Sequence, residues 1–272
     1  MNLLSLTFRL TWQSLMNRKG TALLTVLSIA LSVILLLGVE KVRIGAKTAF
    51  LNTISGTDVV VGARAGTVQL LLYSVFRMGD ATANISWKSV KDIEKRADVK
   101  WVVPIALGDS HKGFRVMGTS AGYFNHFRYR RNLPLQFQSG KAFDDLYEAV
   151  LGADVAKELG YKLGDKIVVA HGAGRVSFGA THKDKPFIVS GILTQTGTPV
   201  DQTVHVSMEA IEAIHVGWEG GAAPRGDNIK SADAVRQMNL EPKSATALFV
   251  KLKSRIATFS FQRYVTITGR NL

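Results

Sequence analysis

The residues of this chain that are best suited to chemistry are its histidines, because an imidazole carries protons near neutral pH and also binds metal ions. They are His111, His126, His171, His182, His205 and His215. No two stand four residues apart, the spacing that places two metal ligands on one helix face. His171 and His182 flank a glycine-rich hairpin and could bind a metal ion with a third ligand, but we expect surface-loop histidines there. We therefore predict no metal site, and we expect His205 to be a packed or edge histidine within a strand.

The motifs of the common catalytic sites are missing from the sequence. It contains no G-x-x-x-x-G-K-[ST] loop, no G-x-S-x-G elbow and no H-E-x-x-H helix. Cysteine is absent, which excludes a thiolate metal site and a cysteine nucleophile. The acidic residues Asp144, Asp145 and Glu148 are expected to form a solvated turn, and the loop Gly62–Gly66 is weak as an anion site. We predict no catalytic residue, no cofactor-binding residue and no enzymatic activity.

The chain is basic, with 34 Lys and Arg against 21 Asp and Glu and a formal net charge of +13. Such a balance fits nucleic acid, an anionic membrane surface or simple solubility. The densest basic stretch is Arg128–Arg131, and the aromatic residues Phe127 and Tyr129 give it the composition of a nucleic-acid patch. A solvated loop is the simpler interpretation, and we predict no nucleic-acid partner.

One stretch has the length and composition of a membrane span. Residues Gly20–Val39 contain no charged residue and no proline, and as a helix they span about 30 Å, the thickness of the hydrocarbon core. Arg18 and Lys19 precede the stretch, and Glu40 follows it. A cleaved signal peptide is the alternative, but its apolar region would be shorter and would end at a small-residue cleavage site. We predict an uncleaved transmembrane helix over residues 20–39, anchored in the lipid bilayer.

The segments on either side of the span also have helical periodicity. Before it, residues 2–17 carry two apolar stripes and Trp12, which suits either a helix at the lipid–water interface or an extension of the span. After it, apolar residues keep helical spacing as far as Ile54, which predicts a stalk that ends at Ser55-Gly56. The two sides carry equal numbers of basic residues, so the positive-inside rule does not decide the orientation.

Beyond the stalk, from Thr57, short strands and short helices are mixed. The strand-like segments are 58–62, 101–107, 114–118, 149–151, 166–170, 187–193, 203–206 and 248–252. The helical segments are 86–96, 154–159 and 208–214. Because these elements lack βαβ regularity, we predict an α+β protein: one N-terminal transmembrane helix with a stalk, followed by a mixed α/β domain.

Individual residues refine this expectation. Ser86 is a candidate N-cap, and Gly160 fits the position after a helix end. Pro104 suggests an edge strand or a bulge, and the alternation of residue types in 248–252 suggests a half-buried strand. The segment Gly217–Asp227 is the most loop-like of the chain and could separate two subdomains.

Several short motifs follow one another in a fixed order. They are Asp58–Gly62, Val116–Thr119 with Tyr123-Phe124, Leu133–Phe143, Ala149–Asp165 and Val189–Leu193. Each is weak alone, but their order and spacing make nearly the whole chain resemble the MacB-like periplasmic core domain of FtsX-like ABC-transporter permeases. One position departs from the pattern, since Lys141 stands where arginine is commoner in the family.

This resemblance implies a permease subunit of a MacB-type ABC transporter in the cell inner membrane. The N-terminus would be cytoplasmic and the large domain periplasmic. A separate ABC ATPase would drive a motion that passes along the first helix to the outer domain, which moves a lipoprotein, peptide or similar substrate. The other implied partners are the remaining permease spans or a second permease chain in a dimeric assembly.

Family permeases continue past this domain into three more membrane spans, whereas residues 256–272 lead into no apolar run. We therefore expect a truncated chain, a frameshifted product or half of a split permease. The predicted domains are 1–56 (interfacial helix, transmembrane helix and stalk), 57–255 (periplasmic core domain) and 256–272 (tail). The alternative function is a stand-alone membrane-anchored binding or sensory module without transport activity. An anchored envelope hydrolase is a third class, and the missing motifs disfavour it.

Overall fold

The computed structural model describes residues 3–63, 66–172, 181–218 and 231–268. The chain divides into two compact units, residues 1–50 and 51–272. Some predicted segments therefore lie partly outside the described residues: the loop Gly62–Gly66, the glycine-rich hairpin after His171, the loop Gly217–Asp227 and the tail 256–272.

The N-terminal unit is helical. Helix α1 (Leu3–Asn17) and helix α2 (Lys19–Thr53) are divided at Arg18. Within the stretch Lys19–Thr48 of α2, the most apolar window of 18 residues has a mean hydropathy of 2.7, and the protein does not bury it. Among the described residues α2 is the one helix long and apolar enough to cross a membrane. Helix α2 continues without a break past the apolar run as far as Thr53. That this part forms a stalk outside the membrane stays a prediction.

The second unit is built around a mixed β-sheet of ten strands. The strands of the chain are β1 (Val59–Gly62), β2 (Ile85–Ser86), β3 (Val99–His111), β4 (Phe114–Thr119), β5 (Arg128–Tyr129), β6 (Leu133–Pro134), β7 (Phe137–Gly140), β8 (Glu148–Leu151), β9 (Lys166–Ile167), β10 (Ala170–His171), β11 (Phe187–Leu193), β12 (Thr203–Ser207), β13 (Ser244–Ala245) and β14 (Ala247–Leu252). The order in the large sheet is β1-β14-β3-β4-β12-β8-β11-β7, with β10 paired to β3 and β9 to β11. The pairs β13–β2 and β5–β6 form two small separate sheets.

The helices of this unit are short. They are α3 (Thr67–Ser74), α4 (Trp87–Glu94), α5 (Gly122–His126), α6 (Ala153–Leu159), α7 (Met208–His215), α8 (Ala232–Arg236) and α9 (Ala257–Thr268), with a 3₁₀ turn at Pro199–Gln202. In the sheet, β4 pairs with β12 and β8 with β11 in parallel, while the neighbouring pairs β3–β4 and β8–β12 are antiparallel. This mixture of strand directions and short helices confirms the predicted α+β class.

Local sequence explains where several helices begin and end. The Ser86 hydroxyl accepts a hydrogen bond from the N–H of Ser89 at 3.3 Å and caps α4, as predicted. Ser207 caps α7 in the same way, accepting from the N–H of Ala210 at 3.0 Å. Gly160 ends α6 at a φ of +70°, a left-handed conformation that glycine adopts without steric cost. The two serines end β2 and β12, so each of these helices starts where a strand stops.

Two clusters of apolar side chains lie among the described residues of this unit. The first cluster includes Leu151, Val155, Phe187, Val204 and Ile214, from β8, α6, β11, β12 and α7. The second includes Val61, Val90, Val99, Leu248 and Phe261, from β1, α4, β3, β14 and α9. Burial of these side chains is the main favourable contribution to the stability of the unit, at about 25 cal/mol per Å² of apolar surface.

The prediction of an edge strand or bulge at Pro104 is wrong. β3 lies inside the sheet between β14 and β4, and Pro104 pairs regularly with Leu248 of β14. On the other side, the last pair of the ladder with β4 is Ile105 with Thr119. The Thr119 hydroxyl donates to the carbonyl of Pro104 at 2.8 Å. Pro104 thus lies where the ladder with β4 stops, which explains how an internal strand tolerates a residue without an N–H.

The prediction of a half-buried strand at 248–252 is also wrong. Phe249 is 1% exposed, although its side chain points away from that of Leu248, which is 0% exposed. The Phe249 ring lies 6.1 Å from the ring of Phe127, so the second face of β14 is covered as well. The predicted strand 166–170 is divided in two, because β9 pairs with β11 whereas β10 pairs with β3.

His205 is a packed histidine and not an edge histidine, because β12 lies between β4 and β8. Its side chain is fully buried, and Nδ1 lies 3.2 Å from the carbonyl oxygen of Val150. The rings of Tyr123 and Phe124 lie 5.3 Å and 5.8 Å from the imidazole. Burial lowers the pKa of His205 to about 3, so the ring is neutral at physiological pH.

Candidate functional site

Four side chains of the types that bind metal ions come together beside β3. Asp109 belongs to β3, His171 to β10, His182 to the segment before β11, and His215 to the last position of α7. One potential ligand atom from each lies within 4.8 Å of the other three. We call these four residues the histidine cluster.

Backbone pairing brings the first three members together. β10 runs antiparallel to β3 with His171 directly opposite Asp109. The N–H of His182 donates to the carbonyl of Val169 at 2.9 Å, which holds the returning segment beside β10. Helix α7 begins after its N-cap Ser207, and His215 is its last residue. The cluster therefore depends on strand register and helix length together.

Three of the ligand atoms are already close to one another. His171 Nδ1 lies 3.2 Å from Asp109 Oδ1. His215 Nε2 lies 3.3 Å from His171 Nδ1 and 3.8 Å from Asp109 Oδ1. The three atoms form a small triangle, and a single cation could contact all of them.

The tautomer of His215 follows from the contact of its other ring nitrogen. Nδ1 lies 2.6 Å from the carbonyl oxygen of Ile211, and a carbonyl can only accept, so Nδ1 carries a proton and donates it. In the neutral ring, Nε2 is then an unprotonated acceptor that faces Asp109 and His171. A hydrogen bond from the second ring nitrogen to a carbonyl is the usual way in which proteins orient a metal-binding histidine.

His182 is the most deeply buried member of the cluster. Its side chain is fully buried, and neither ring nitrogen has a hydrogen-bond partner among the residues that the structure describes. Burial lowers the pKa of His182 to about 4, so the imidazole is neutral at pH 7. A buried polar ring without a partner is destabilising, because its nitrogens lose their hydrogen bonds to water.

A tryptophan closes one side of the cluster and a cavity opens on another. The Trp218 ring lies 4.5 Å from the ring of His182 and 4.8 Å from that of His171. Asp109, His171 and His215 line a cavity of about 280 Å³. The side chains of His171 and His215 are 33% and 34% exposed, so the cluster can be reached from solvent.

The expectation that His171 and His182 are surface-loop histidines is therefore wrong for His182, which is buried. Nothing in the sequence pointed to Asp109, and His215 was named only as one of the six histidines, because no local spacing connects either residue with His171 and His182. His171 lies opposite Asp109 because of the register of β10 on β3, which the sequence does not show.

Two other histidines have structural contacts of their own. The ring nitrogens of His111 lie 2.7 Å from the carbonyl oxygen of Val168 and 2.9 Å from the hydroxyl of Tyr161. His126 stacks on Trp101, with 5.0 Å between the ring centroids. Neither belongs to the histidine cluster.

The acidic turn is held together by its own contacts. Asp145 forms an ion pair with Arg236 at 2.6 Å, and the hydrogen bond from Arg236 lowers the pKa of Asp145. The Glu148 carboxylate accepts from the N–H of Asp144 at 2.8 Å. These contacts of a partly exposed turn agree with the predicted structural role.

The basic stretch Arg128–Arg131 is attached through its backbone. The carbonyl of Arg128 accepts from the N–H of Ser55 at 2.8 Å, and the N–H of Arg130 donates to the carbonyl of Asn52 at 2.7 Å. The absence of a nucleic-acid partner stays a prediction.

Comparisons with known proteins give one family and several similar solved structures. The sequence profile of the family described as MacB-like periplasmic core domain matches residues 22–266. The crystal structure of the periplasmic region of MacB from Actinobacillus actinomycetemcomitans is 13% identical over 81% of this chain and 89% of that one, with a TM-score of 0.44. The extracellular domain of the ABC-type transporter YknZ from Gram-positive bacteria is 14% identical over 74% of this chain and 86% of that one, with a TM-score of 0.41. A search of curated protein sequences found no match.

Proposed function

This chain belongs to the MacB-like periplasmic core domain family, and from that premise we propose that it is a membrane subunit of a MacB-type ABC transporter. The observation that carries the proposal is the extent of the match, which includes both the apolar helix α2 and the mixed sheet. Helix and domain are thus covered by one family profile.

The proposed role of α2 is to carry motion between the membrane and the sheet domain. The helix runs from Lys19 to Thr53 without a proline, so its backbone hydrogen bonds continue from the apolar run into the stalk. A displacement that a separate ATPase produces at the membrane would pass along this axis. The outer domain would then move a lipoprotein, peptide or similar substrate, without catalysing a reaction itself.

A single membrane helix encloses no pathway, so the proposed transporter includes further spans beside α2, which we expect to come from the remaining permease spans or from a second permease chain in a dimeric assembly. Small residues recur along the apolar run at Ser28, Ser32 and Gly38, and such residues let helices pack closely in lipid. The Ser32 hydroxyl donates to the carbonyl of Ser28 at 2.9 Å, so it needs no polar partner in the membrane. These features fit a helix that packs against other spans.

We expect ATP hydrolysis to accompany the chain when it is isolated with its natural partners. The tagged chain is purified in mild detergent from its native membranes and, in parallel, from a host that lacks the other subunits. Vanadate-sensitive ATP hydrolysis is measured in both preparations. The native preparation should be active and the other inactive, because this chain has no Walker-type nucleotide site. A native preparation with no ATPase would instead favour a stand-alone binding or sensory module.

We expect the sheet domain to lie on the periplasmic side of the inner membrane and the N-terminus on the cytoplasmic side. A cysteine introduced at the exposed position Lys157 of α6 should react with a membrane-impermeant maleimide in intact spheroplasts. The matched control is Arg18→Cys, before the apolar run, which should react only after lysis. The chain has no native cysteine, so the signal has no background. The reverse pattern of labelling would invert the proposed topology.

A further inference from the structure

We propose that Asp109, His171, His182 and His215 bind one divalent transition-metal ion, with Zn²⁺ as the best-fitting species. One carboxylate oxygen and three imidazole nitrogens would be the ligands. This site is independent of the transport function proposed above, since it rests on the contacts of these four side chains.

The spacing of the ligand atoms fits a tetrahedral ion. With metal–nitrogen and metal–oxygen bonds of about 2.0–2.1 Å, neighbouring ligand atoms of a tetrahedral zinc site are about 3.3 Å apart. The observed separations among Asp109 Oδ1, His171 Nδ1 and His215 Nε2 are 3.2, 3.3 and 3.8 Å. One face of the tetrahedron is therefore preformed, and His182 needs only a small movement to complete it, since its ligand atom is within 4.8 Å of the others.

The charges and protons of the cluster favour a cation over an empty site. When the His215 ring is neutral, its Nε2 and Asp109 Oδ1 are both acceptors, and both approach Nδ1 of His171. Nδ1 of a neutral imidazole supplies at most one proton, so it cannot donate a full hydrogen bond to each. A metal ion placed among the three atoms would accept a lone pair from each of them.

The fully buried His182 supplies a second and independent indication. Its ring nitrogens have no partner among the described residues, and one of them is close enough to the other three ligand atoms to join them. Coordination would satisfy one of these two nitrogens, which is otherwise buried at a cost. The exposed edges of His171 and His215 on the 280 Å³ cavity provide a route for the ion.

The ligand set determines the class of metal. Imidazole-rich sites favour Zn²⁺, Cu²⁺, Ni²⁺ and Co²⁺, whereas Mg²⁺ and Ca²⁺ require mostly oxygen ligands. Four protein ligands leave no open position in a tetrahedral shell, which is typical of a site that stabilises a fold rather than one that activates water. A bound ion would link β3, β10, the segment before β11 and the end of α7.

The test is metal binding by the full chain in detergent. The protein carries a tag without histidine, is stripped with EDTA and is titrated with Zn²⁺ against a chromophoric chelator. We expect one Zn²⁺ per chain, a raised melting temperature with Zn²⁺, and no comparable response to Mg²⁺. Loading with Co²⁺ should give the intense visible absorption of a tetrahedral site.

The diagnostic variants are His171→Asn and His215→Gln, chosen because both side chains are partly exposed and the fold should tolerate the change. Each should weaken Zn²⁺ affinity by about 100-fold or more and abolish the zinc-dependent rise in melting temperature. His126→Asn, outside the cluster, should bind like the unmodified chain. Circular dichroism of the metal-free variants distinguishes a lost ligand from a lost fold.

The proposal would be overturned if the unmodified chain bound no stoichiometric Zn²⁺, or if the double variant His171→Asn/His215→Gln bound it as tightly as the unmodified chain. The first result would identify the four residues as a hydrogen-bonded cluster without an ion. The second result would show that Zn²⁺ binds to other residues of the chain.

Discussion

Replacing Gly152 by alanine is expected to lower the free energy of unfolding by about 3 kcal/mol. Gly152 connects β8 to α6 and lies against the 3₁₀ turn Pro199–Gln202. A Cβ added there would overlap the backbone carbonyl oxygens of Val200 and Asp201. These are backbone atoms and cannot rotate away as a side chain could, so β8 or the turn must shift.

The backbone around Gly152 offers little freedom for that shift. Its N–H donates to the carbonyl of Thr203 at 2.9 Å, and its carbonyl accepts from the N–H of Ala156 at 3.1 Å in the first turn of α6. A displaced β8 would therefore disturb its pairing with β12 and the start of α6. The motif A-V-L-G, one of those that carry the family resemblance, ends at this contact.

The measurement is urea unfolding of the full chain in detergent, followed by near-ultraviolet circular dichroism. Gly66→Ala is the matched control, because a Cβ at Gly66 meets no atom of the described residues within 4 Å. We expect that control to remain within about 0.5 kcal/mol of the unmodified chain. An equal stability for Gly152→Ala would show that the close approach of turn and strand is not required.

Replacing Asp201 by alanine is expected to cost about 3 kcal/mol or more. Asp201 is 2% exposed. Its carboxylate accepts from the N–H of Thr196 at 2.8 Å, from the hydroxyl of Thr196 at 2.8 Å and from the N–H of Gly197 at 2.7 Å. The substitution leaves the two buried donors of Thr196 without the carboxylate that accepts from them, and an unsatisfied buried donor costs about 1–3 kcal/mol.

The same unfolding experiment tests this prediction, with Asp92→Ala as control. Asp92 is exposed on α4, so its removal should change stability by less than about 0.5 kcal/mol. Because Asp201 also supplies a backbone oxygen to the contact with Gly152, the two substitutions should not be additive in the double variant. Additive losses would show that the turn and the strand end are energetically independent.

The sequence by itself determined the features that depend on local physics. A run of apolar residues without charge must be helical to enter lipid, because only then are its backbone hydrogen bonds satisfied within the segment. In the same way Ser86 caps α4 and Gly160 ends α6, since each acts on backbone groups a few residues away. The order of motifs was enough to indicate the family that the profile match shows.

Only the tertiary structure decided which surfaces meet. Phe249 is buried because another part of the chain covers the second face of β14. Pro104 is tolerated inside the sheet because the ladder of β3 with β4 stops beside it. An alternation of apolar and polar residues indicates a strand, but it does not indicate how many faces of that strand the rest of the chain covers. For the same reason the role of Gly152 is visible only in the turn that packs on it.

The histidine cluster is the strongest example of this division. Its four members come from a strand end, a short added strand, a returning segment and a helix C-terminus, so no spacing along the chain connects them. The spacing of residues along the chain shows which side chains share a face of one helix or strand. Whether ligands from different elements meet depends on how those elements are aligned with one another. Asp109 and His171 meet because β10 pairs with β3 in one register, and a shift by one residue would point the His171 side chain to the other face of the sheet.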